Sequence, residues 1–92
     1  MRLHTLKIKD KYYEEVEKGS KPFELRKNDR DYKVDDLINF DVINAHGDIK
    51  HTDGVYQITY ILKDVPEYGL DKDYCILGIR KLGQLFKWYK DK

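Results

Sequence analysis

The chain has 92 residues and a net charge of +1, which bounds it to one domain, taken as residues 1–92, that buries only part of its surface. No apolar run is long enough to cross a bilayer as a helix, and the single cysteine, Cys75, excludes an intrachain disulfide. The first residues already alternate like a strand, so no leader peptide is expected. These features give the expectation of a soluble, cytoplasmic monomer with no cofactor and no membrane partner.

Charge is unevenly spread. Residues 18–33 carry six basic and three acidic side chains, residues 34–73 three and nine, and residues 74–92 five and one. Two basic segments thus flank an acidic middle. Brought together by the fold, they would make an anion-binding face that the net charge hides. An ordinary solvated surface is the plainer reading.

In chain order, residues 2–8 alternate as a strand with His4, Leu6 and Ile8 on one face. A histidine at such a spot reads as a packed, hydrogen-bonded residue before it reads as a ligand or base. Asp10 is placed to cap a helix carrying Tyr12, Tyr13 and Val16 as an apolar stripe. Gly19 is placed to end that helix at positive φ. A short strand over 22–27 follows, with Pro22 tolerated at its start. Alternation puts Phe23 and Leu25 on one side, expected to face the core, and Glu24 and Arg26 on the other. Residues 28–36 read as a loop in which Asn28 and Asp29 suit turn chemistry. Strands are expected at 37–43, 55–63 and 74–80, with loops at 44–54 and 64–73 between them. The last strand is apolar on both faces and so belongs inside the sheet, with Gly78 marking a bend or a close backbone approach. The Phe86-Lys87-Trp88-Tyr89-Lys90 tail reads as a short helix or a sixth strand. Five or six strands and one early helix suggest an α+β, mainly β fold: a small, strongly bent sheet or barrel.

Several chemistries have no carrier. There is no phosphate-binding glycine loop and no dinucleotide fingerprint. His46 and His51 with Asp48 and Asp53 lack metal-ligand spacing. Cys75 sits in a buried-looking strand with nothing nearby to activate it. What stands out is the stretch from Gly19 to Asp31. It places Lys21, Glu24, Arg26, Asn28, Asp29 and Arg30 on one short strand and its exit, a density of donors and acceptors suited to a polar, planar or anionic ligand.

The pattern His4-x-Leu6-Lys7-Ile8, then Gly19-x-Lys21-x-Phe23-Glu24-Leu25-Arg26-Lys27-Asn28-Asp29-Arg30-Asp31-Tyr32, then Val34-x-Asp36-Leu37 and Tyr60-Ile61-Leu62 resembles a small bacterial and phage family of unknown function (DUF3850-like). That family belongs to the ASCH superfamily, whose fold is PUA-like. The resemblance covers most of residues 3–80 and leaves out 81–92. It implies a PUA-like bent β-barrel with a polar cleft between helix and sheet, where relatives mostly bind RNA or modified nucleotides. One ASCH branch hydrolyses acetylated cytidine with a lysine followed, three residues on, by a threonine, and with a later carboxylate. Lys21 matches that lysine, but Glu24 stands at the threonine position, which removes the hydroxyl nucleophile. Glu67 is the candidate for the later carboxylate. Asp35 stands where relatives usually have glycine, and aspartate tolerates the left-handed conformation that such a turn needs.

Three readings follow. The leading one is a binding module for RNA or a nucleotide: Glu24 accepts from a base edge, Arg26 and Arg30 donate to phosphate or carbonyl groups, Lys21 adds charge, and tyrosines supply stacking. The alternative is a nucleotide- or RNA-directed hydrolase, amidohydrolase or nuclease, with Lys21 and Glu24 as an acid–base pair. In the third, the polar cluster is a buried ion network that only fixes the loop at 28–36.

Overall fold

The computed structural model describes residues 1–84. The elements are β1 (Leu3–Lys9), α1 (Asp10–Lys18), β2 (Phe23–Lys27), β3 (Leu37–Ile43), β4 (Ile49–His51), β5 (Gly54–Leu62), a single 3₁₀ turn at Pro66–Tyr68, and β6 (Tyr74–Gln84). The aromatic and basic tail, for which a helix or strand was expected, lies outside the described residues.

The strands form one mixed sheet in the order β1-β3-β5-β6-β2, with β4 paired to the far half of β3. β1 runs parallel to β3, with Leu3 opposite Leu37 and Lys9 opposite Ile43, and the remaining pairs are antiparallel. The sheet is curled into a half-barrel, as the sequence led one to expect, with β1 and β2 as its two ends. Between them lies a seam that no backbone ladder closes among the described residues.

Alternation builds the core. Leu6 and Ile8 of β1, Ile38 and Phe40 of β3, and Leu77 and Ile79 of β6 are buried, while their neighbours along β1 point to solvent. Helix α1 lies over β1 and β3. It buries Val16 and sets the Tyr13 ring edge-on to Phe40 at 5.8 Å. Its end is as expected: Gly19 takes φ 87° and its N–H bonds the Val16 carbonyl. Its start differs. Lys9 occupies the N-cap position and no side chain closes it, while Asp10 is the first helical residue, where its charge complements the helix dipole.

Other departures have physical reasons. The loop at 44–54 contains strand β4, too short and too polar to show a period. Tyr12 is 45 % exposed and does not pack in the core. The largest correction concerns β2. Phe23 and Leu25 are 43 % and 55 % exposed, and Glu24, expected on the solvent side, is only 4 % exposed. Glu24 turns inward because two cations, Lys21 and Arg26, meet its carboxylate there, and a paired carboxylate tolerates burial that a lone one does not.

His4 is buried, and its Nε2 lies 2.9 Å from Asp36 Oδ2, with the Tyr32 ring packed at a centroid distance of 4.8 Å. Asp36 also accepts the backbone N–H groups of Arg2 and Lys33. Burial alone would raise its pKa, but the His4, Arg2 and Lys33 hydrogen bonds outweigh it and hold the carboxyl below its ordinary value. This knot fixes the 28–36 loop against β1. Asp35, in the same turn, takes φ 77°, the left-handed conformation expected of it. Gly78 lies beside the irregularity between Ile58 and Tyr60. A Cβ there would stand 3.0 Å from Thr59 Oγ1, the close approach its position suggested.

Candidate functional site

A cleft of about 460 Å³ opens at the seam, lined by Lys7, Ile8 and Lys9 of β1, Tyr12 of α1, Lys21, and Phe23 to Arg26 of β2. The turn at Gly19 makes it possible. Ending the helix there reverses the chain, so that Lys21 and β2 come back alongside β1.

Its floor is an ion triad. Lys21 Nζ donates to Glu24 Oε1 at 2.5 Å and to the Phe23 carbonyl at 3.0 Å. Arg26 Nη1 donates to Glu24 Oε2 at 3.1 Å and, across the seam, to the Lys7 carbonyl at 2.8 Å. The carboxylate is therefore held from both ends by cations that are themselves only partly exposed. The walls are apolar and aromatic. Lys21 Nζ lies 5.0 Å from the Phe23 ring centroid and 5.9 Å from that of Tyr12, within cation–π range of both.

Of the six residues singled out in the sequence, the structure brings Lys21, Glu24 and Arg26 together in this cleft. Arg30 lies outside its lining and reaches over the seam, where Nη1 donates to the Thr5 carbonyl at 3.3 Å. Asn28 and Asp29 lie at the exposed exit of β2, with the Asn28 N–H bonded to the Asp73 carbonyl. Glu67 is in the 3₁₀ turn, away from the cleft lining. Burial pushes the Tyr32 hydroxyl up in pKa despite the nearby Arg26 and Arg30 charges. Burial likewise raises the Cys75 thiol, which keeps it from acting as a thiolate.

Sequence reasoning missed Lys7, Lys9, Tyr12 and the wall role of Phe23. A signal existed for the lysines: they alternate with Leu6 and Ile8, so one face of β1 is basic where the other is core. Tyr12 and Phe23 read as core residues because aromatic residues at helical or strand period usually are.

The cleft continues, through Lys21, into a hollow lined by Lys18, Arg80 and Lys81 as well as Glu17. The two basic segments of the sequence do meet there, through the pairing of β2 with β6. On the other side of α1 the sign reverses. A groove between the helix and the β4–β5 turn is lined by Asp10, Glu14, Glu17 and Asp53 against Lys50 and Lys81. His51 sits in that groove, bonded to Asp41 at 2.6 Å, and among the described residues no His, Cys, Asp and Glu group is arranged to hold a metal ion.

These features define a class: a curled mixed sheet with one covering helix and an aromatic-walled cleft, floored by paired charges, at the junction of the sheet's ends. A family model described as "Domain of unknown function (DUF3850)" matches residues 3–79, and the chain belongs to that family. No curated protein matches it.

Proposed function

We propose that this protein is a binding module for single-stranded RNA or a nucleotide, of the PUA-like ASCH type, and that the ligand enters the seam cleft. The observation that carries this reading is the composition of the lining. Four cations, Lys7, Lys9, Lys21 and Arg26, line the cleft with one carboxylate, Glu24, and two exposed aromatic rings border the same opening. Cations meet phosphate, and an aromatic face stacks a base whatever its identity. The basic hollow around Lys18, Arg80 and Lys81 gives a flanking phosphate a place to go. A duplex would need a broader basic surface than this one.

The test is amide chemical-shift mapping of labelled protein against short single-stranded RNA and a panel of nucleotides. Shifts are expected at Tyr12, Lys21, Glu24 and Arg26, with the acidic groove silent. Silence at the cleft residues across the panel overturns the reading.

The bonds from Arg26 and Arg30 to the Lys7 and Thr5 carbonyls favour a second, structural role for these arginines, that of holding the two sheet ends together. Arg30 separates the roles because it lies outside the cleft. Arg30→Ala is expected to lower the melting temperature through loss of the bond to the Thr5 carbonyl, while leaving ligand affinity unchanged, because Arg30 is not part of the cleft lining.

A further inference from the structure

We infer that the outer face of the sheet formed by β5, β6 and β2 is a base-stacking platform, which receives single-stranded RNA as it leaves the seam cleft. This rests on the nucleotide-binding reading above and adds a second surface to it. Alternation fixes the face. Cys75, Leu77 and Ile79 of β6 are buried, so Tyr74, Ile76 and Gly78 point to the other side, outward. The ladders carry that side across to both neighbouring strands. Phe23 of β2 and Tyr60 of β5 both stand opposite Gly78, Leu25 and Leu62 both opposite Ile76, and Lys27 opposite Tyr74.

Three aromatic side chains therefore share one face. Tyr60 is 64 % exposed, Phe23 43 % and Tyr74 42 %. Phe23 and Tyr60 flank Gly78 from its two sides, two strand spacings apart, about 10 Å at the backbone, and the glycine puts no side chain between them. Two observations choose the partner. The first is charge. Among the described strand residues on this face, the charged ones are Lys27 and Arg80, both cations, and none of the chain's 17 carboxylates joins them. Exposed rings among cations suit a polyanion with flat faces, and a basic partner finds no counter-charge there. The second is continuity. Phe23 and Leu25 belong to the cleft lining as well as to this face. A strand with one nucleotide in the cleft thus has its next base beside Phe23 and a later one, past Gly78, beside Tyr60. Stacking accepts any base, so the platform adds affinity with length and no preference of sequence.

The experiment is fluorescence-anisotropy titration of the full chain with mixed-sequence RNA strands of about three and about nine nucleotides, lengths chosen to fall below and within ordinary single-strand site sizes. The longer strand is expected to bind the native chain at least about tenfold more tightly than the shorter. Tyr60→Ala and Tyr74→Ala, both at exposed positions outside the cleft lining, are expected to weaken binding of the longer strand about tenfold each. Both should leave the melting temperature and the affinity for the shorter strand unchanged. Tyr60→Phe keeps the ring and is expected to bind as the native chain does. Native affinity for the longer strand in Tyr60→Ala and Tyr74→Ala overturns the platform while leaving the cleft reading standing. Sedimentation of the free protein supplies a further arm. A dimer that Tyr60→Ala dissociates, with RNA affinity unaltered, assigns the face to a second copy of the chain and overturns the inference. No binding of either strand overturns the nucleotide-binding reading itself.

Discussion

Asp36 shows how a single carboxylate ties the site to the fold. Its oxygens accept from His4 and from two backbone N–H groups, and these hold its pKa below the ordinary value against the opposing effect of burial. A carboxyl whose folded pKa is depressed contributes stability that is fully present above its unfolded value, about pH 4, and is lost as pH falls through the lower folded value. Melting temperature measured by circular dichroism should therefore drop through the acid range. Asp36→Asn should lower it at neutral pH and flatten part of that acid dependence. A variant whose acid profile parallels that of the native protein would show that the carboxylate is not the group responsible. Glu24 carries the opposite lesson about legibility. Its neighbourhood, with Lys21 three residues before it and Arg26 two after, was visible in the sequence as a rich polar cluster. Its inward direction was not, because strand alternation gives two faces and does not say which one a curling sheet will close over.

Among the elements, those with long apolar runs were legible nearly to the residue. β3 and the start of β6 coincide with their expected bounds, and β5 is displaced by one residue. What escaped was β4, three residues with no period of their own, and the orientation of β2, whose partner across the seam is a set of side-chain bonds. Helix α1 was legible at its end because only one residue there suits the backbone. Nothing lies within 4 Å of where a Cβ on Gly19 would stand, so replacing it costs backbone conformation alone. Gly19→Ala is expected to destabilise the protein by about 1 kcal/mol, the penalty of a left-handed L-residue. In urea the midpoint should fall with the slope unchanged. An unchanged midpoint would mean that the turn after α1 relaxes without strain.

For the whole molecule the decisive feature is polarity across α1. The near-neutral total conceals a basic stretch, running from Lys7 and Lys9 through Lys21 to Lys18 and Arg80, and a groove in which Asp10, Glu14, Glu17 and Asp53 outnumber Lys50 and Lys81, with Glu17 and Lys81 shared between the two. The sequence showed the alternation of charge along the chain but not which blocks become neighbours, since that depends on β2 pairing with β6. If single-stranded RNA lies along the basic stretch and meets three or four phosphates, log affinity should fall with log salt concentration with a slope of about −2 to −3. A slope near zero would show that these cations do not face the backbone of the ligand.

The position of β2 in the sheet also sets an order of events in time. This strand carries Glu24 and Arg26, and its backbone ladder is made with β6, the last strand described, so that Phe23 waits for Gly78. A chain emerging from the ribosome has made the helix and both basic lysines of β1 long before it has anything for β2 to pair with. Until then β2 presents an unpaired edge, the condition in which nascent chains associate wrongly. Closure of so distant a pair is slow compared with the formation of local helical contacts. The cleft is thus assembled after synthesis of β6, and a nascent chain that stalls short of Tyr74 has every residue of the ion triad and no site.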